Sequence, residues 1–110
     1  MAKQAALSRK DKDIINKYIL LLKERGVDVS EVILFGSYAK GMAKQDSDID
    51  LAIVSSQFGK DNWKEMIFLR KLALEIDSHI EPLPFSPQDM EDRYSTLSEE
   101  IRKYGVSMYA

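Results

Sequence analysis

Two apolar runs held apart by a short polar segment constrain this chain more than any other feature. Val32-Ile33-Leu34-Phe35 stops at Gly36-Ser37, ten residues follow from Tyr38 to Ser47, and Asp48-Ile49-Asp50 opens a second run, Leu51 to Val54. β-Branched and aromatic residues bounded by glycine and polar clusters read as strands. Side chains at i and i+2 of a strand share a face, so Asp48 and Asp50 are predicted to project side by side, while Ile49 and Leu51 meet other surroundings. Two adjacent carboxylates raise the cost of ionising both. A hard divalent cation, which prefers oxygen ligands, removes that cost. Gly36-Ser37 offers backbone N–H groups and a hydroxyl at the end of the first strand. Glycine lets the backbone approach a ligand closely, and a helix starting there would favour an anion. An anion cradle beside a metal-binding carboxylate pair describes a site for a nucleoside triphosphate with Mg²⁺. The bland alternative is a hairpin-like unit whose acidic strand start is simply solvated.

Composition bounds the rest. The chain has 110 residues and a hydrophobic fraction of 45%, which fits one small domain, residues 1–110, with an ordinary core. The net charge of -2 and pI near 5.4 argue against a surface built to coat nucleic acid. With no cysteine and a single histidine, His79, neither a disulfide framework nor a thiolate or histidine-rich metal site can form. No apolar run approaches ~20 residues and no signal peptide is evident, so a soluble, cytoplasmic protein is expected.

In chain order, residues 1–7 read as a loose leader. Ser8 to Asp11 resembles a capping box, and Ile14, Ile15, Tyr18, Ile19, Leu21 and Leu22 recur at helical spacing. A first amphipathic helix is predicted from about Ser8 to Arg25, closed by Gly26. Glu31 to Phe35 forms the first strand. Ser37 to Met42 suggests a short helix ending near Gly41, with Lys40 and Lys44 either meeting a bound anion or simply solvated. Asp46, which could also face the site, is assigned to the turn, and Ser47 to the turn or the strand entry. Asn62 to Asp77 is a second helix whose apolar stripe includes Trp63, Met66, Ile67, Leu69 and Leu72. Trp63 is assigned to core or boundary packing rather than to stacking on a base. His79 to Phe85 is short, apolar and extended, and Pro82 and Pro84 confine it to an edge strand or to an irregular continuation. Ser86-Pro87 starts a third helix of a few turns, with a break near Ser95-Thr96 and a last helical stretch from Ser98 to Gly105. Val106 to Tyr109 is a short extended tail. This order makes an α/β architecture, a small mixed sheet packed with helices.

Gly36-Ser37, ten residues and then Asp48-Ile49-Asp50 together resemble the signature of the DNA polymerase β-like nucleotidyltransferase superfamily. The short chain looks like its minimal nucleotidyltransferase branch, whose members often serve as antitoxins to helical HEPN toxins. The motif spans 15 residues, Gly36 to Asp50, and the looser order of elements covers nearly the whole chain. The resemblance implies the polymerase β-like fold and Mg²⁺ held by Asp48, Asp50 and a third carboxylate from a later strand. Glu81 best matches that third position, with Asp77 in reserve, although relatives often carry Asp there. It also implies ATP or another nucleoside triphosphate bound at Gly36 and Ser37, and transfer of AMP to a hydroxyl on a HEPN-type partner. Relatives often carry Arg near position 40. Lys40 keeps that charge without the bidentate geometry. Two other readings stay open: an antitoxin that neutralises by binding alone, and a homodimeric enzyme acting on small molecules.

Overall fold

The computed structural model describes residues 7–44 and 46–110. Its elements are α1 (Arg9–Glu24), β1 (Glu31–Phe35), β2 (Ile49–Val54), α2 (Asn62–Leu74), β3 (Ile80–Phe85), α3 (Pro87–Met90), α4 (Thr96–Tyr104) and β4 (Val106–Tyr109). The strands form one sheet in the order β3-β2-β1-β4. β1 runs antiparallel to β2 and to β4, and β2 runs parallel to β3. The sheet is therefore mixed, as predicted. The extended tail is its fourth strand.

Period-2 alternation gives the sheet two different faces. Val32 and Leu34 of β1, Ile49, Leu51 and Ile53 of β2, and Ile80 of β3 point to one face. There they pack on Ile15, Tyr18, Ile19 and Leu22 of α1 and on Leu69, Leu72 and Ala73 of α2. The Tyr18 hydroxyl, fully buried, donates to the Leu69 carbonyl at 2.8 Å and ties the two helices together. Ile33, Phe35, Ala52, Val54 and Phe85 point to the other face, where Ile101 of α4 covers them with Leu83 and Met90 at the margin. Asp50 and Glu81 share the parity of this second, more thinly covered face.

The first helix is capped as expected: Ser8 and Asp11 form a reciprocal capping box. Of the expected leader, residues 1–6 lie outside the described residues, and Leu7 packs against the core. Four expectations need correction. Residues 36–41 form consecutive turns rather than a helix, because Gly36 and Gly41 both adopt positive φ, 75° and 70°, which no right-handed helix accommodates. The second helix stops at Leu74, since the Ile76 and Asp77 N–H groups both turn back to the Ala73 carbonyl. Trp63 is 67% exposed and belongs to no core. The third helix is a single capped turn, and α4 starts at Thr96 with Ser95 as its cap.

The edge strand has a chemical reason for staying an edge. The Phe85 carbonyl accepts from Ser55, and the carbonyl of His79, just before β3, accepts from Ile49 at the start of β2. Positions 82 and 84 alternate with these and face outward, and both are proline. The outer side of β3 thus lacks N–H donors at two successive outward positions, which discourages strand addition.

Candidate active site

The parallel pairing of β2 with β3 places Asp50 directly beside Glu81. The antiparallel pairing of β2 with β1 places Asp50 beside Phe35, one residue before Gly36. Three sequence-predicted residues thus meet at one end of the sheet because the strand registers put them there. The fit at Gly36 is close. A Cβ built on it would lie 2.1 Å from the Asp50 Oδ2 atom, and its φ is +75°. Glycine is needed there twice over, for the backbone conformation and for room beside the carboxylate.

Gly36 also begins a turn in which its carbonyl accepts from Lys40 and the Ser37 carbonyl accepts from Met42 at 2.8 Å. The N–H groups of Ser37, Tyr38 and Ala39 have no backbone acceptor among the described residues. Successive free donors beside a glycine make an anion-binding concavity.

The electrostatics are those of a site short of positive charge. Burial, followed by the charges of Asp48, Glu81 and Glu100, pushes the Asp50 carboxyl up from its ordinary 3.8 to about 6. Asp48 is exposed, one residue before the strand, and its charge reaches Asp50. The donor set is all carboxylate oxygen, which suits a hard divalent cation. Such an ion would relieve the repulsion that raises Asp50. Among the described residues, no three acidic, imidazole or thiolate groups are yet drawn together as a metal site. Glu81 already has a partner: its Oε1 accepts from the Arg70 guanidinium of α2.

Other candidates are placed elsewhere. Lys40 forms an ion pair with Glu100 of α4 at 3.3 Å and lies over the Tyr104 ring, so α4 closes on the turn after Gly36. The Lys44 N–H donates to the Ser47 hydroxyl at 2.7 Å, which makes Ser47 the turn residue it was expected to be. Asp46, Asp77 and His79 line a cavity of about 310 Å³ with Lys10, Asp11 and Tyr38. Asp77 Oδ1 is engaged by the His79 N–H and ring Nδ1 at 2.8 and 2.9 Å. Its partner pulls Asp77 below its ordinary range and raises His79. Asp77, the reserve for the third carboxylate, is thus committed locally. Sequence reading missed Arg70 and Glu100. Both reach the site across elements, and neither carries a local pattern that announces it.

A model of the nucleotidyltransferase domain matches residues 15–104. The chain belongs to the nucleotidyltransferase domain family. Among relatives, it is 31% identical over 83 residues to a candidate protein adenylyltransferase of Methanocaldococcus jannaschii, covering 71% of this chain and 56% of that one. It is 28% identical over 94 residues to the protein adenylyltransferase MntA of Shewanella oneidensis, covering 86% and 63%. The chain therefore spans roughly three-fifths of the length of these two relatives. Among solved structures, it superposes with a TM-score of 0.58 and 22% identity on a chain from the tri-AMPylated Shewanella oneidensis HEPN toxin in complex with its MNT antitoxin. That match covers 90% of this chain and 71% of the other. The α/β fold of this nucleotidyltransferase domain is thus shared with solved members. No helix among the described residues is long and apolar enough to cross a membrane.

Proposed function

We propose that this nucleotidyltransferase domain moves AMP from ATP to a hydroxyl on a HEPN-type partner in the cytoplasm, with Mg²⁺ bound, and so acts as an antitoxin. The observation that carries the reading is the register that sets Asp50 beside Glu81 with its Oδ2 against Gly36. That arrangement brings carboxylates for a cation within reach of backbone donors for a triphosphate. The names of the relatives supply the acceptor class: two are adenylyltransferases of proteins, and one solved complex holds an AMPylated HEPN toxin.

Each residue then has a task. Asp48, Asp50 and Glu81 would hold Mg²⁺. The chemistry that a bound Mg²⁺ supplies is neutralisation of the triphosphate and of the charge that builds on the leaving oxygen. The Gly36 turn and the Ser37 hydroxyl hold the distal phosphates by donation. Glu81 Oε2 accepts the proton of the attacking hydroxyl. The acceptor oxygen forms a bond to the α-phosphorus, the α–β phosphoanhydride breaks, and pyrophosphate leaves with the electron pair. Holding acceptor and nucleotide in line contributes much of the rate.

Transfer from α-labelled ATP to the co-purified partner tests the assignment. Asp48→Asn and Asp50→Asn should abolish transfer with the fold intact. Glu81→Gln should lower turnover more than nucleotide affinity. Wild-type transfer by both Asn variants would refute the metal-site reading.

A further inference from the structure

Glu81 sits in register with Asp50, but its carboxylate is already engaged. Its backbone is fixed by pairing with Asp50, yet its Oε1 is bonded to the Arg70 guanidinium. Side-chain exposures of 49% for Arg70 and 31% for Glu81 put this ion pair in contact with water. Pairs of that kind are weak, contributing at most about 1 kcal/mol. A weak pair is one that a competing cation can displace. Releasing Glu81 requires only rotation of its own side chain between staggered states, not movement of β3.

Among the described residues, Arg70 makes no other ion pair or side-chain hydrogen bond. It is exposed on α2, at the flank of the stripe formed by the buried Leu69, Leu72 and Ala73. Its partner, Glu81, is the carboxylate that lies in register with Asp50. Without it, the second face of the sheet would bring three unneutralised acids, Asp48, Asp50 and Glu81, together with Glu100, which is itself paired with Lys40.

We propose that Arg70 is a removable counter-ion. It holds Glu81 away from Asp48 and Asp50 while no cation is bound, and it yields Glu81 when a divalent cation enters. This rests on the reading of Glu81 as the third carboxylate of the site. Arg70 is in these terms a positioning residue: it acts through Glu81 and touches no reacting atom. It sets the cation affinity of the free protein, so the site fills only when cation and triphosphate arrive at sufficient concentration.

The test is Mn²⁺ binding to the nucleotide-free protein, read from the loss of the free-ion electron paramagnetic resonance signal, with circular dichroism confirming the fold of each variant. Arg70→Gln should tighten Mn²⁺ binding by about threefold, the size expected for loss of an exposed competing ion pair. Arg70→Lys keeps the charge and should bind as the wild type does. Glu81→Gln should weaken binding, and adding Arg70→Gln to it should change nothing further. Equal tightening in both backgrounds would mean a long-range charge effect and would overturn the proposal, as would unchanged affinity in Arg70→Gln. If Asp48→Asn weakens binding and Glu81→Gln does not, the proposal fails while a cation site at Asp48 stands. If neither weakens it, the metal-site reading fails as well.

Discussion

Gly36 is where backbone conformation and chemistry meet. Gly36→Ala would place a methyl group 2.1 Å from Asp50 Oδ2 on a backbone with φ of +75°. The left-handed conformation alone costs a non-glycine residue roughly 1–2 kcal/mol, and the clash forces Asp50 to move. The variant should unfold at lower denaturant by at least that amount and should lose transfer. Denaturant titration with a transfer assay checks both. Asp50 gives a second expectation, in pH. Its carboxyl is raised from 3.8 to about 6, so between those values the folded state holds more protons than the unfolded one. Metal-free stability therefore falls as pH rises through that window, and the loss is complete above it. Asp50→Asn should remove this part of the pH dependence and be more stable than the wild type near neutrality. A series of urea midpoints across the window, with chelator present, measures it, and parallel curves for both proteins would contradict it. Gly36, Asp48 and Asp50 were legible in the sequence because strand periodicity and glycine chemistry are local rules. Arg70 was not: its partner Glu81 lies eleven residues on, across a helix end and a loop, and no period links the two.

At the scale of elements, β1, β2 and β3 could be read from their apolar runs, and α1 from its capping box. The second helix was harder. Apolar side chains ring it, from Trp63, Met66, Ile67 and Phe68 to Leu74, so the sequence does not separate its core stripe from its solvent side. The structure buries Leu69, Leu72 and Ala73 and leaves Trp63 and Leu74 exposed. The turn after Gly36 was misread for another reason. Its residues suit a short helix, and only the positive φ at both glycines forbids one. Two contacts fix how elements meet. Tyr18→Phe would remove the buried bond to the Leu69 carbonyl and should cost about 1 kcal/mol. At the α4–β4 junction, a Cβ on Gly105 would lie 2.4 Å from the Ile101 carbonyl oxygen and 2.5 Å from Ile33 Cγ2. Gly105→Ala should therefore destabilise by roughly 1–3 kcal/mol, as overpacking does. Equilibrium unfolding measures both variants.

For the whole molecule, the sheet divides labour between its faces. α1 and α2 bury one face as a continuous core. The other keeps its carboxylate end beside the Gly36 turn, with α4 reaching it through the Lys40–Glu100 pair. The fold class and the motif were readable because both depend on the order and alternation of apolar residues. The acceptor was not, because nothing in this chain's own pattern encodes the surface of another protein. Transfer to that protein is the central claim, and intact mass measurement of a co-expressed HEPN-type partner tests it most directly. One or more additions of a single AMP residue on the partner are expected, dependent on ATP and Mg²⁺ and absent with Asp48→Asn. A partner that co-purifies with the wild-type chain and carries no added mass would contradict it.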